Sequence, residues 1–523
     1  MFLRGRLNFA ALFEGQTVHV SECPRRVAPK MIEKNPLKIA MIAAEAAPYA
    51  KVGGLGDVVG ALPKALDKLG ASVTVIIPGY AGANACPSEP CRAVSGFDVP
   101  MGNFTERASI FQTVMKGTSV EVYLICSSRY FDREGIYDDP FTKEGYADNM
   151  ERYVFFMKAA VELLRHMNVP FDILHCHDSQ TALIPALIRE NYEASPFFIR
   201  LKTVFTIHNL AYQGIYPREA LELAGIAPRR FYSGSPFEYW GQVNFMKAGI
   251  LLADQVTTVS PTYAEEIQAD AEFGMGLEGV LCERKQDLRG IINGIDYEEW
   301  DPSTDPFIAA RFSSENISGK AVCKDDVLRC FNLPRPTKRT PLIGVVSRLA
   351  DQKGFDLVAQ AMPEIASMNM QMVVLGNGQQ KYHDMFSDIA ARYPDKVGVR
   401  LGYDNPLAHR IEAGCDMFLM PSKYEPCGLN QLYSLRYGAI PIVHRTGGLV
   451  DTVEPYAGNE GTGFSFSEYS AEALLKSIRE ALALYATPFR WKKLTLRAMS
   501  KDWSWHNSAH RYLELYQSLL PHS

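Results

Sequence analysis

Four glycines, a lysine and an aspartate crowd into Lys51–Gly60, KVGGLGDVVG, directly after an apolar strand-like run. Glycines at a strand-to-helix turn let backbone amides approach a ligand, and a helix start favours anions. The spacing Gly54-x-Gly56-x-x-x-Gly60 departs from the dinucleotide fingerprint. The next strand-like run ends in Pro78-Gly79-Tyr80, without the acid that would bind a ribose. Hydride chemistry is therefore disfavoured. Gly53 and Gly54 read either as a tight turn or as ligand-facing backbone. Lys51 reads either as a solvated lysine or as a contact to phosphate or sugar oxygens, with Asp57 beside it.

A second cluster lies far along the chain. Arg348 and Lys353, in SRLADQKG just beyond a strand, place a guanidinium and an ammonium together, a pairing suited to a diphosphate leaving group. Glu425, in KYEPCGL between a strand and a helix, is either a helix cap or a group for chemistry. His208 follows the strand VFTI at the end where ligands bind in parallel sheets, although a lone histidine is commonly structural. Asp178 closes HCHD, flanked by His175 and His177, with no third ligand to support a metal. Asn293 in NGID, Tyr403 in GYDNP and the amides of Thr446-Gly447-Gly448-Leu449 complete the candidates. For Tyr403 the alternatives are a surface tyrosine in a turn and an aromatic stacked on a base.

These residues sit at the ends of strands, and the strands come in two series. LKIAMIAA (37–44), VTVIIPGY (73–80), FDILHCHD (171–178), LKTVFTIHN (201–209) and QVTTVS (255–260) are continuous apolar runs, as parallel strands covered on both faces require. Leu55, Val58, Leu62, Leu66 and Leu69 form one helical stripe between the first two, with a kink or restart expected at Pro63. After residue 340 the rhythm returns in PLIGVVS (341–347), MVVLG (372–376), VGVRL (397–401), MFLMPS (417–422) and IPIVH (440–444). Two βα arrays predict an α/β protein of two Rossmann-like, doubly wound domains facing across a cleft. The expected boundaries are a leader over 1–36, a first domain over 37–295 and a second over 296–502. A hinge falls near 295–340, and a C-terminal helix over 503–518 rejoins the first domain.

The 523 residues, 47% hydrophobic and 22% charged, exceed what one core supports. No apolar run approaches the roughly 20 residues of a membrane helix. A net charge of −5 without a basic block argues against nucleic acid as partner. The 10 cysteines are scattered, so reduced thiols in a cytoplasmic setting are expected, with Cys86 and Cys91 close enough to form a redox pair. Residues 1–36 lack a secretory core and cleavage site, and Met31 looks like a start. The leader reads as an extension or, less simply, as a plastid transit peptide.

KVGGLGDV resembles the KxGGLxDV signature of bacterial glycogen synthases and plant starch synthases. HCHD (175–178), FTIHNLAYQG (205–214), TTVSPTYAEEI (257–267), NGIDYEEWDP (293–302), SRLADQKG (347–354), KYEPCGLNQLYSL (423–435) and TGGLVDTV (446–453) agree in order, so the resemblance covers residues 37–516. It implies a GT-B glycosyltransferase that moves glucose from ADP-glucose, a co-substrate and not a cofactor, onto an α-1,4-glucan with retention. It also implies roles. Arg348 and Lys353 bind the diphosphate, and Glu425 meets the donor glucose. The amides of Cys427, Gly428 and Leu429 hold sugar hydroxyls, and the His208 carbonyl faces the reacting carbon. Asp57 and Asp178 match acidic positions that line the cleft, and Tyr403 matches an aromatic that stacks on the base. Asn293 completes the set, and the Thr446-Gly447 segment offers amides for phosphate. His444-Arg445 before TGGL departs from the Ser- or Ala-rich pattern of many relatives. The competing expectations are a UDP-glucose enzyme with a small acceptor and a silent glucan-binding scaffold.

Overall fold

The computed structural model describes residues 36–80, 91–192, 195–336 and 339–521. The expected leader, Pro36 apart, and Cys86 lie outside the described residues, and Leu37–Ser523 forms one compact unit. Two large sheets organise it.

The first sheet has nine strands: β1 (Lys38–Ile42), β2 (Ser72–Pro78), β3 (Arg92–Met101), β4 (Phe104–Val114), β5 (Glu121–Cys126), β6 (Ile173–His177), β7 (Lys202–Ile207), β8 (Gln255–Thr258) and β9 (Leu288–Gly290). Their order is β9-β8-β7-β6-β1-β2-β5-β4-β3. β1 is buried at the centre, parallel to β2 and β6, because Ile39, Ala40, Met41 and Ile42 are apolar on both faces. β3 and β4 form an antiparallel hairpin at one edge. That hairpin escapes a search for apolar runs, since most of its residues alternate between exposed and covered.

The second sheet has six parallel strands: β10 (Leu342–Leu349), β11 (Gln371–Gly378), β12 (Val397–Leu401), β13 (Met417–Met420), β14 (Ile440–His444) and β15 (Phe464–Phe466), ordered β12-β11-β10-β13-β14-β15. This is the doubly wound order of nucleotide-binding domains. In both sheets the chain direction of winding reverses beside the first strand, β1 or β10. The carboxyl edge at that point is where such folds take ligands.

Six helices matter for the site: α1 (Gly54–Lys68), α2 (Pro261–Ala269), α3 (Phe355–Ser367), α4 (Asn430–Tyr437), α5 (Gly448–Thr452) and α6 (Trp505–Ser518). α1 runs unbroken through Pro63, correcting the expected restart. Proline removes one interior hydrogen bond there, and the buried stripe of Val58, Val59, Leu62 and Leu66 holds the helix together. α6 packs Trp505, Ala509, Tyr512 and Tyr516 into the same core as Ile39, Val58 and Leu62. The chain thus passes between the sheets twice, and the passages touch: Ile295 N–H donates to the Trp503 carbonyl at 2.8 Å. Gly294 is required at this crossing, because a Cβ would lie 2.5 Å from Trp505 Cα. Trp300, beyond the crossing, stacks between His409 at 3.7 Å and Tyr433 at 3.9 Å, fastening its segment to the second sheet's helices.

Cys91 is disulfide-bonded, against the expectation of reduced thiols throughout, and its partner lies outside the described residues. Among the described residues no helix is long and apolar enough to cross a membrane.

Candidate functional site

On the first sheet the site starts where β1 ends. Glu45, just past the strand, is buried and turns its carboxylate under the glycine loop. Oε2 accepts the N–H groups of Val52 (2.6 Å) and Gly53 (3.0 Å), and Oε1 accepts the Tyr137 hydroxyl at 2.6 Å. Burial pushes the Glu45 carboxyl up, and those hydrogen bonds oppose it. Two amides that the sequence offered to a ligand are therefore occupied by the protein's own carboxylate. Gly60 lets the loop lie against α1, since a Cβ there would be 2.8 Å from the Ala47 carbonyl oxygen.

Lys51 projects from this loop and meets Asp57 at 2.5 Å. Burial works against the Lys51 ammonium, but the Asp57 carboxylate outweighs it and the lysine is raised. Asp57 is itself raised to about 6, by burial, with Lys51 opposing. A Cβ on Gly54 would sit 3.6 Å from Leu429 Cδ1, so the glycine loop faces the EPCGL segment of the other sheet. Tyr403 is 80% exposed and close enough to help raise Lys51.

At the ends of β6 and β7 lies a buried polar cluster. Asp178 has φ 56 and ψ −178, a conformation nearly reserved for glycine and costing about 1–3 kcal/mol. Its Oδ1 accepts the His208 N–H at 2.7 Å. Burial raises the carboxyl to about 7, opposed by the backbone N–H groups of His208 and Asn209. His177 Nδ1 and His208 Nε2 share a hydrogen bond at 2.9 Å. His175 lies between Thr206 Oγ1 (2.5 Å) and the Tyr516 hydroxyl of α6 (2.8 Å). Burial lowers His175 and His208 to about 3 and also holds His177 well below its ordinary value, so all three imidazoles are neutral at pH 7. Among the described residues no three His, Cys, Asp or Glu side chains are grouped to hold a metal ion.

On the second sheet Arg348 extends from the end of β10. It donates to the Tyr212 hydroxyl at 2.7 Å and to Gln352 Oε1 at 3.2 Å, so a tyrosine of the first domain holds it. Lys353, closing the turn Asp351–Lys353, donates to Glu425 Oε2 at 2.6 Å. Ser422 donates to the same oxygen at 2.9 Å. Glu425 is buried behind them. Beyond it, Gly428 takes φ 71 and α4 begins after Leu429. Cys427 is buried, its thiol pushed up to about 12 by burial, with the Asn293 backbone N–H directed at the sulfur.

The Thr446–Leu449 turn is also occupied. Gly447 N–H donates to Glu266 Oε1 at 2.9 Å, Thr446 Oγ1 donates to the same oxygen at 3.1 Å, and Gly448 N–H donates to the Glu425 carbonyl at 3.1 Å. Asp451 in α5 receives Ser260 Oγ (2.6 Å), Thr262 N–H (3.1 Å) and Thr262 Oγ1 (2.7 Å) at the start of α2.

The fold thus groups Lys51 with Asp57, Asp178 with His208, and Lys353 with Glu425, all at carboxyl edges of the two sheets. Cationic groups and carboxylates stand at both edges, a set of groups able to meet phosphate and hydroxyl oxygens. Sequence reasoning alone does not single out Glu45, Tyr137, Tyr212, Ser422 or Glu266. A lone acid closing an apolar strand (Glu45), and the tyrosine of NLAYQG (Tyr212), are the available signals.

Residues 38–283 match the family model described as the starch synthase catalytic domain, and residues 332–495 match that of the glycosyl transferases group 1. The glycogen synthase of Koribacter versatilis is 47% identical over 483 residues, covering 92% of this chain and 98% of that protein. That of Pseudothermotoga lettingae is 42% identical over 494 residues, covering 92% and 99%. The catalytic domain of starch synthase IV from Arabidopsis thaliana, solved bound to ADP and acarbose, superposes with a TM-score of 0.85 at 33% identity, covering 92% of this chain and 99% of that one. Sucrose-phosphate synthase from Thermosynechococcus elongatus, at 17% identity and a TM-score of 0.56, shares the fold.

Proposed function

This chain belongs to the glycogen and starch synthase family of glycosyltransferases, and from that premise we propose that it transfers glucose from ADP-glucose to the 4-hydroxyl at the non-reducing end of an α-1,4-glucan, with retention. The observation that carries the proposal is the position of Arg348 at the end of β10 and of Lys353 just beyond it, where the winding of the second sheet reverses. The ADP and acarbose bound by the related starch synthase support a nucleotide diphosphate and an oligosaccharide here.

We assign Arg348 and Lys353 to the diphosphate and Glu425 to the donor glucose, with the amides of Cys427, Gly428 and Leu429 on its hydroxyls. The His208 carbonyl is assigned to the reacting carbon, and Tyr403 to the base. Lys51, Gly53, Gly54, Asp57, Asp178 and Asn293 are assigned to the walls. Thr446 and Gly447 reach a phosphate only when Glu266 withdraws.

Retention ordinarily calls for a second carboxylate as nucleophile. Glu425 is engaged with Lys353 and Ser422, which suits hydroxyl binding better than attack on carbon. Front-face displacement fits. The acceptor O4 bonds to the anomeric carbon on the face the diphosphate leaves, the C–O electron pair departs with the diphosphate, and a diphosphate oxygen takes the O4 proton. Arg348 and Lys353 stabilise the growing charge, and closure of the domains excludes water that would hydrolyse the donor. We take the cytoplasm as the setting, which the seven free cysteines among the described residues favour and the disulfide at Cys91 opposes.

The test is nucleotide release by purified protein given glycogen with ADP-glucose or UDP-glucose. Glycogen-dependent ADP release is expected. Turnover with UDP-glucose alone would overturn the donor, and silence with both would overturn the reaction.

A further inference from the structure

A small antiparallel sheet on the first domain, Ile215–Tyr216, Gln242–Asn244 and Glu238–Tyr239, carries a residue out of keeping with its turn. Tyr239 pairs with Gln242, leaving Trp240-Gly241 as a two-residue hairpin loop with φ 50 and φ 82. Positive φ at both central positions is the signature of a type I′ turn, which favours asparagine or glycine at the first. A tryptophan there is disfavoured by its own backbone. Its ring is also 87% exposed, more than any other large apolar side chain among the described residues. Neither the strain nor the bare indole serves the fold, and such combinations mark binding surfaces.

The turn that carries the ring is fixed. Gly241 N–H donates to Glu238 Oε1 at 2.9 Å, Lys247 Nζ to the Glu238 carbonyl at 2.7 Å, and the Tyr239 hydroxyl to the Met275 carbonyl at 3.4 Å. The sheet is also continuous with the candidate site. Its strand Ile215–Tyr216 follows directly from the loop carrying His208 and Tyr212, the partner of Arg348. In that loop Gln213 accepts from Asn244 Nδ2 at 2.6 Å and donates to the Met275 carbonyl at 3.0 Å. Tyr232 and Tyr212, both exposed, belong to the same stretch of chain.

We propose that Trp240 is a stacking platform for the glucan acceptor, separate from the site of bond formation. A glucopyranose ring presents a flat face of C–H bonds, and an indole carried on a fixed turn, with only two side-chain torsions to order, offers a large apolar face at small entropic cost. A chain gripped there is retained between rounds of elongation. The inference rests on the glucan reading above.

Trp240→Asn is the decisive variant, because asparagine is the residue the turn prefers and folding is preserved. Wild type and variant are compared on glycogen and on maltotriose, with sedimentation to follow mass. The expected result is about a fivefold fall in the preference for glycogen over maltotriose (the ratio of kcat/KM), with weaker retardation in a glycogen-containing gel and partial recovery in Trp240→Phe. An unchanged preference overturns the platform while leaving the synthase reading intact. An unchanged preference with a reduced mass for the variant overturns it in favour of a contact between copies. Failure of the wild type to elongate glycogen overturns both readings.

Discussion

The Lys353 ammonium lies 2.6 Å from Glu425 Oε2, so two groups assigned to opposite ends of the donor hold each other. Ser422 shares that carboxylate oxygen, which keeps Glu425 satisfied in a buried position. Under the proposed assignment, a diphosphate arriving beside Lys353 would compete with Glu425 for the ammonium and free Glu425 to accept sugar hydroxyls. The pair acts as a resting state for both groups.

Glu425→Gln keeps the shape and removes the charge. Its kcat is expected to fall about 100-fold or more, since a preorganised charge aimed at the reacting sugar is lost. Lys353→Ala should lower kcat comparably and also stability, by about 3 kcal/mol, because a buried carboxylate then keeps only Ser422. Steady-state kinetics and thermal melting check both. Activity above half of wild type in either variant would refute the assignment.

Glu45 receives three donors: the Val52 and Gly53 amides and the Tyr137 hydroxyl. Glu45→Ala strands all three and should cost about 2–3 kcal/mol, with a larger KM for donor as the Lys51 loop loosens. Glu45→Gln retains one acceptor oxygen and is expected to recover most of the stability. Equal melting temperatures for wild type and Glu45→Ala would show that the loop is held by other contacts.

The parallel strands are legible in the sequence because burial on both faces forces unbroken apolar runs such as KIAMI and MFLM. The hairpin of β3 and β4 is not, because one of its faces meets solvent and its pattern resembles a loop. Chemistry-bearing residues announce themselves by type and by their place after strands. Their partners do not. Glu266 and Gly447 are 181 positions apart, and Tyr212 and Arg348 are 136 apart. Only the folded topology pairs them, and no local propensity records it. The strained Asp178 backbone is equally silent in HCHD, since aspartate carries no mark of an unusual φ.

Asp178 provides a pH test. Its folded-state pKa of about 7 lies above the ordinary 3.8, so between those values the folded protein holds a proton that the unfolded chain has released. Stability contributed by this group therefore falls as pH rises from about 4 to about 7. Asp178→Asn keeps an oxygen for the His208 N–H and removes the titration. Relative to wild type it should gain on the order of 1–2 kcal/mol at pH 8 and little at pH 4.5. Lowered His175, His177 and His208 contribute with the opposite sign, but they are present in both proteins, and Asp178→Asn keeps the acceptor for the His208 N–H, so they cancel in the difference. Urea unfolding of the two proteins at both pH values decides it, and a pH-independent difference would refute the raised carboxyl.

The two sheets are joined most directly where Asp451 receives three hydrogen bonds from Ser260 and Thr262 and Glu266 returns to Thr446 and Gly447. The nearby touching passages at Ile295 and Trp503 give the chain a second axis. Closure that broke both would sacrifice several buried hydrogen bonds at about 1 kcal/mol each, whereas rotation about them sacrifices none. The Asp451 contact is thus expected to act as a pivot that persists while the Lys51 loop and the EPCGL segment approach. Small-angle scattering should show the wild type contracting on addition of ADP. Asp451→Ala, its pivot loosened, should start more expanded and contract less. Identical curves with and without ADP would end the closure argument, and normal contraction in Asp451→Ala would move the pivot to the Ile295–Trp503 crossing.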